Sequence, residues 1–154
     1  MLHPSPTTKI DPTLTRATIS GFTEESQNGP ACVVLTFANT NYQIRLEPAT
    51  DIEQLRSMQG ETVLGTIHAT ARRIDPAQAG GRCIDPCVGR PRRIMGTIVG
   101  TDPRSNAMVV NVGPDMSVWL TLGAPGQRVE QFKEVPFLTC DIFPGASFRF
   151  KELA

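Results

Sequence analysis

The stretch from Thr18 to Ile74 recurs, in degenerate form, from Thr97 to Phe150. Thr18-Ile19-Ser20-Gly21 aligns with Thr97-Ile98-Val99-Gly100, and Ala31-Cys32-Val33-Val34 with Ala107-Met108-Val109-Val110. Tyr42–Leu46 aligns with Val118–Leu122, Glu53-Gln54-Leu55 with Glu130-Gln131-Phe132, and Leu64–Ile67 with Thr139–Ile142. The offset shortens between the first two blocks, where the polar loop Thr23–Pro30 has no full counterpart. Length change confined to loops is what a duplication leaves behind. A repeat of this size restricts a 154-residue chain to two small units, or to one double unit with a shared core.

The pattern within each copy is β-rich. Thirteen glycines and thirteen prolines suit many short strands joined by turns and argue against a helical bundle. Strands are expected near 16–22, 31–38, 42–47 and 61–74. In the third, Tyr42, Ile44 and Leu46 alternate with Gln43, Arg45 and Glu47. Thr50 with Glu53 three residues later has the form of a capping box, which opens a short helix over about 50–59 that Gly60 ends. The second copy repeats the order, with strands near 93–100, 107–113, 117–122, 136–142 and 147–151 and a helix near 126–133. Three strands, a short helix and further strands is the order of an OB-fold, whose helix plugs one end of a five-stranded barrel. The expected fold is therefore mostly β: two tandem small OB-like barrels, each with one short helix. The expected divisions are a flexible arm over 1–13, a first barrel over 14–75, an Arg/Gly/Pro-rich linker over 76–92 and a second barrel over 93–154.

Charge is balanced overall, 15 basic against 15 acidic residues, so no whole-molecule field draws nucleic acid or membrane. The distribution is uneven. Between Arg72 and Arg104 there are seven arginines and three aspartates, a local net of +4. Arg72, Arg73, Arg82, Arg90, Arg92 and Arg93 flank or lie in the linker, and a linker folded over the junction would gather them into one basic patch for phosphates. Alternatively, pairing with Asp75, Asp85 and Asp102 would staple the two copies together. Trp119 stands out by alternation: Val118, Leu120 and Leu122 face the core, so Trp119 points outward where the first copy has Gln43. Such a residue stacks a base or anchors an interface.

Other chemistry lacks its parts. Cys83 and Cys87 have zinc-ligand spacing, but Cys32, Cys140, His3 and His68 are scattered, so no fourfold set is evident and no metal or cofactor is expected. A hydrolytic triad would have to use His68, and no paired carboxylates are apparent. Gly123–Gly126 precedes a helix start where an anion would sit, though a plain turn explains it equally. Met1–Pro6 has neither a charged nor an apolar leader segment and no transmembrane run follows, so a cytoplasmic protein is expected.

The segments Gly80-Gly81-Arg82, Gly89–Arg93, Gly96–Val99, Asp102-Pro103, Asn111-Val112-Gly113 and Asp141–Phe148 together resemble an uncharacterised family of small bacterial proteins of planctomycete type. The likeness spans about 55–150. That family carries no assigned activity, so the resemblance implies no active site. In its pattern the positions of Cys83 and Cys87 are often aromatic or aliphatic. The expected function is a non-enzymatic binding or assembly module, with a protein partner or self-association. The alternatives are single-stranded nucleic-acid binding through the arginines and Trp119, then a metal-binding or enzymatic role.

Overall fold

The computed structural model describes residues 10–27, 29–77 and 81–154. Eleven strands and one short α-helix are found among them. The first half contains β1 (Thr15–Thr23), β2 (Cys32–Thr36), β3 (Gln43–Pro48), α1 (Ile52–Ser57) and β4 (Thr62–Pro76). The linker contributes β5 (Cys83–Asp85) and β6 (Val88–Gly89). The second half contains β7 (Arg93–Asp102), β8 (Ala107–Gly113), β9 (Met116–Leu122), a 3-10 turn (Val129–Phe132), β10 (Leu138–Ile142) and β11 (Ser147–Leu153). The protein is mostly β, and all the strands belong to one mixed sheet.

The ladders of the two halves follow one scheme. In the β1–β2 pair the register skips Ser20, passing from Ile19 opposite Leu35 to Gly21 opposite Val34. In β7–β8 it skips Val99, from Ile98 opposite Val110 to Gly100 opposite Val109. Arg16 faces Leu64 as Met95 faces Thr139, the same match that the sequence alignment makes. The third strand differs from that alignment. Gly21 leads through Val34 to Arg45, and Gly100 leads through Val109 to Trp119. Trp119 therefore corresponds to Arg45, not Gln43. Side chains alternate with period two, so a slip of two residues keeps every hydrophobic residue on its own face and leaves no mark in the pattern.

Hydrogen bonding does not stay within each half. One circuit of pairings runs β1–β2–β3–β11–β4 and back to β1. A second runs β7–β8–β9–β4–β10 and back to β7. The last strand of the chain thus completes the circuit begun by the first half. The far part of β4 completes the circuit of the second half, parallel to β9 from Ile67 opposite Val118 to Ala71 opposite Leu122. The long β4 is the seam: β11 lies antiparallel along its start and β10 along its end.

Local chemistry explains the elements. Along β4, Val63, Gly65, Ile67, Ala69 and Ala71 are buried in strict alternation. The β1–β4 ladder is regular at Gly65, whereas the β11–β4 ladder shifts register there, skipping Lys151 between Phe150 opposite Gly65 and Glu152 opposite Leu64. A Cβ at Gly65 would run into the Arg149 carbonyl and the Phe148 ring, so glycine is what lets β11 lie close. Helix α1 is capped by Asp51, whose carboxylate accepts from the Glu53 amide at 3.4 Å. Thr50, expected as the cap, instead accepts from the Phe150 amide at 2.9 Å and so ties β11 to the helix start. Gly60 follows the helix with φ +89, a conformation that glycine takes without strain. The second expected helix is the shorter 3-10 turn, which buries Val129 and Phe132. One apolar cluster runs through both halves, from Leu35, Ile44 and Phe148 to Val110, Leu120 and Leu138.

Of the expected flexible arm, residues 1–9, including His3, lie outside the described residues. Residues 10–13 are held: Ser117 Oγ donates to the Pro12 carbonyl at 2.7 Å and Trp119 Nε1 to the Thr13 carbonyl at 3.1 Å.

Candidate binding recesses where the halves meet

The arginines do not form one patch. Two neighbouring recesses collect five of the six expected from the sequence, and Arg45 joins them. Arg72 and Arg73 leave the end of β4, and Arg93 opens β7, so all three border one shallow recess with Asp75, Cys140 and Asp141. Here the charges are partly spent. Arg73 Nε lies 3.1 Å from Asp75 Oδ1, and Arg93 Nε lies 2.8 Å from Asp141 Oδ1. The hydrogen bond to Asp141 raises the pKa of Arg93 further above its ordinary value. Arg72 has a different neighbour: its guanidinium carbon sits 4.1 Å from the centroid of the Phe143 ring, a cation–π contact.

The second recess has a volume of about 270 Å³ and is lined by Arg45, Arg90, Arg92 and Glu47, with Pro144–Ala146 on one wall. Arg45 is placed by the alternation of β3, where Ile44 and Leu46 are buried and Arg45 is exposed. Arg90 donates from Nη2 to the Pro30 carbonyl at 3.1 Å, and the carbonyl of Arg92 accepts from the Ile142 amide at 2.9 Å. Among the described residues, Arg45, Arg90 and Arg92 take part in no side-chain ion pair. Three arginines therefore share this recess with Glu47, and the same three line an adjoining recess with Glu24.

Arg82 lies elsewhere and donates to Asn111 Oδ1. The expected staples are mostly missing. Among the described residues, of Asp75, Asp85 and Asp102 only Asp75 forms an ion pair with an arginine, and that partner is on its own strand. Asp102 instead accepts from the Arg104 amide and the Ser105 hydroxyl in a tight turn. Among the described residues an ion pair does cross between halves, Arg16–Asp115 at 3.2 Å, which the sequence reading did not single out.

Trp119 lines neither recess. It is half-buried, stacked on His68, with its indole N–H on Thr13. His68 Nε2 lies 2.7 Å from Thr66 Oγ1. Burial, and then the Arg149 charge, lower the pKa of His68, so at neutral pH it is an uncharged ring within a packed contact. All four cysteines are free. Cys140 is buried, and that burial with Asp141 and Asp75 pushes its pKa up to about 12, so it stays a thiol. Among the described residues no three His, Cys, Asp or Glu side chains converge as metal ligands, Cys83 and Cys87 included. No described helix is long and apolar enough to cross a membrane.

The sequence reading missed Arg45, Glu47 and Phe143. The outward alternation of β3 was a usable signal for the first two. Nothing local marks Phe143, because its exposure follows from the turn between β10 and β11. No family model, curated protein or solved structure matches this chain.

Proposed function

We propose that the chain is a non-enzymatic binding module made of two copies of one OB-like barrel that have exchanged their fifth strands. Its partner is anionic and seats in the recess of Arg45, Arg90 and Arg92. The circuit β1–β2–β3–β11–β4, with α1 between its third and fourth strands, has the strand count and helix position of an OB-fold. In that fold the outer face of strands two and three is where ligands bind. Arg45 stands on that face. The single observation that carries the reading is the convergence there of three arginines that, among the described residues, take part in no side-chain ion pair, with two carboxylates, Glu47 and Glu24, in the recesses they line. Guanidinium forks suit phosphate and carboxylate. In the second half, the equivalent face presents Trp119 and is closed by Thr13, so the two faces have diverged. The tethered His68 and the protonated Cys140 supply no activated nucleophile or base, which favours binding over catalysis. The family that the sequence resembles has no assigned activity, so the proposal rests on geometry.

The test is retention on immobilised heparin at low salt. The chain has no net charge, so retention must come from a local site. The intact protein is expected to bind and elute with salt, and a double variant Arg45→Ala, Arg92→Ala to elute clearly earlier. Flow-through of the intact protein would sink the reading.

A further inference from the structure

We propose that the anionic partner is single-stranded nucleic acid. Its phosphates pass from Arg45, Arg90 and Arg92 to Arg72, and a base stacks on Phe143. The inference rests on the reading of the arginine recess as a binding site and adds the partner's identity. The two recesses are joined through the chain itself. Arg92 borders one and Arg93 the other. On the facing strand, Cys140 and Asp141 border one, while Ile142 and Pro144–Ala146 border the other. Phe143 lies in the chain between these two sets of residues and lines neither recess itself. It is 37% exposed, unusual for a phenylalanine, and it carries the Arg72 guanidinium at its face.

An exposed aromatic ring with one guanidinium group at its face, next in the chain to a recess lined by further arginines, matches what a single strand offers: negative charge at regular intervals and flat bases free to stack. An acidic peptide would use the arginines and leave the ring without purpose. A duplex keeps its bases stacked inside and would use only the charges. Trp119, the aromatic residue that the sequence singles out, is already engaged by His68 and Thr13. The turn 143–146 also enters the strand that closes the first circuit, so ring and recess are fixed relative to each other by β11.

The experiment is fluorescence anisotropy of the full chain with a labelled oligothymidylate of about 15 nucleotides at low salt. Binding is expected to weaken steeply as salt rises. Phe143→Ala should weaken it by about tenfold, whereas Phe143→Tyr keeps it, and heparin retention should be the same for both variants and the intact chain. Duplex of equal length and polyglutamate should compete poorly. Heparin retention without oligonucleotide binding overturns this inference and leaves the anion site standing. Wild-type affinity in Phe143→Ala, or equal competition by duplex or polyglutamate, also overturns it. Failure on both heparin and oligonucleotide removes both proposals.

Discussion

Trp119 and His68 face each other directly across the parallel β4–β9 ladder, their rings stacked with centroids 6.3 Å apart and planes 21° apart. The pair joins the two halves at the seam, and it contains a titratable group. Burial, then Arg149, lower the pKa of His68 from 6.5. The unfolded chain therefore takes up this proton more readily than the folded one. The stability from a neutral His68 is fully present above the unfolded value and is lost as pH falls through the folded value. Thermal denaturation should show the melting temperature of the intact protein dropping as pH falls below the ordinary histidine value of 6.5. His68→Gln should flatten that part of the profile. An unchanged slope would show that His68 is not the group responsible.

Gly65→Ala should be costly. Its added methyl meets backbone at Arg149 and the buried Phe148 ring, neither of which can swing away. We expect a loss of at least about 2 kcal/mol in urea denaturation. Gly21→Ala is the control, since its Cβ meets nothing within 4 Å, and it should stay within about 0.5 kcal/mol of the parent.

Phe148 lies on β11 but fills the core of the circuit formed by the first half, where it is fully buried. Phe148→Ala should cost about 3–5 kcal/mol. Amide exchange gives the more telling readout. Loss of protection in β1, β2 and β3 is expected, far from the mutation in sequence. Protection lost only in the second half would contradict the strand exchange.

Gln127 acts as a substitute strand partner. Its side-chain oxygen accepts from the Ile74 amide and its nitrogen donates to the Ile74 carbonyl, both at 2.9 Å. Gln127→Ala strands both groups beside a buried residue and should cost about 1–3 kcal/mol by chemical denaturation. Gln127→Glu keeps the acceptor but sets a carboxylate against the carbonyl, so it should not restore stability.

The order of strands was legible because it is written locally. Alternation marks β3 and β9, and the Gly and Pro clusters mark the breaks between elements. The match of Leu64 to Thr139 was readable for the same reason. Which arginines meet was not. Arg92 and Arg93 are adjacent in the chain yet border different recesses, and Arg45 comes to Arg90 and Arg92 only because β6 pairs with β3. Arg93 stands directly opposite both Asp85, in the β5–β7 ladder, and Asp141, in the β7–β10 ladder, and its guanidinium pairs with Asp141, a choice that spacing along the chain does not show.

The recurrence of one strand pattern determined a β-rich chain with two matching halves. It could not determine which half each closing strand serves. A strand satisfies its backbone by pairing with any edge of suitable register, and nothing in the residues of β4 or β11 names the partner. Close packing made that choice, at Gly65 where β11 lies against β4 and at Phe148 inside the first circuit. With it came the two arginine recesses, neither of which exists in either half alone.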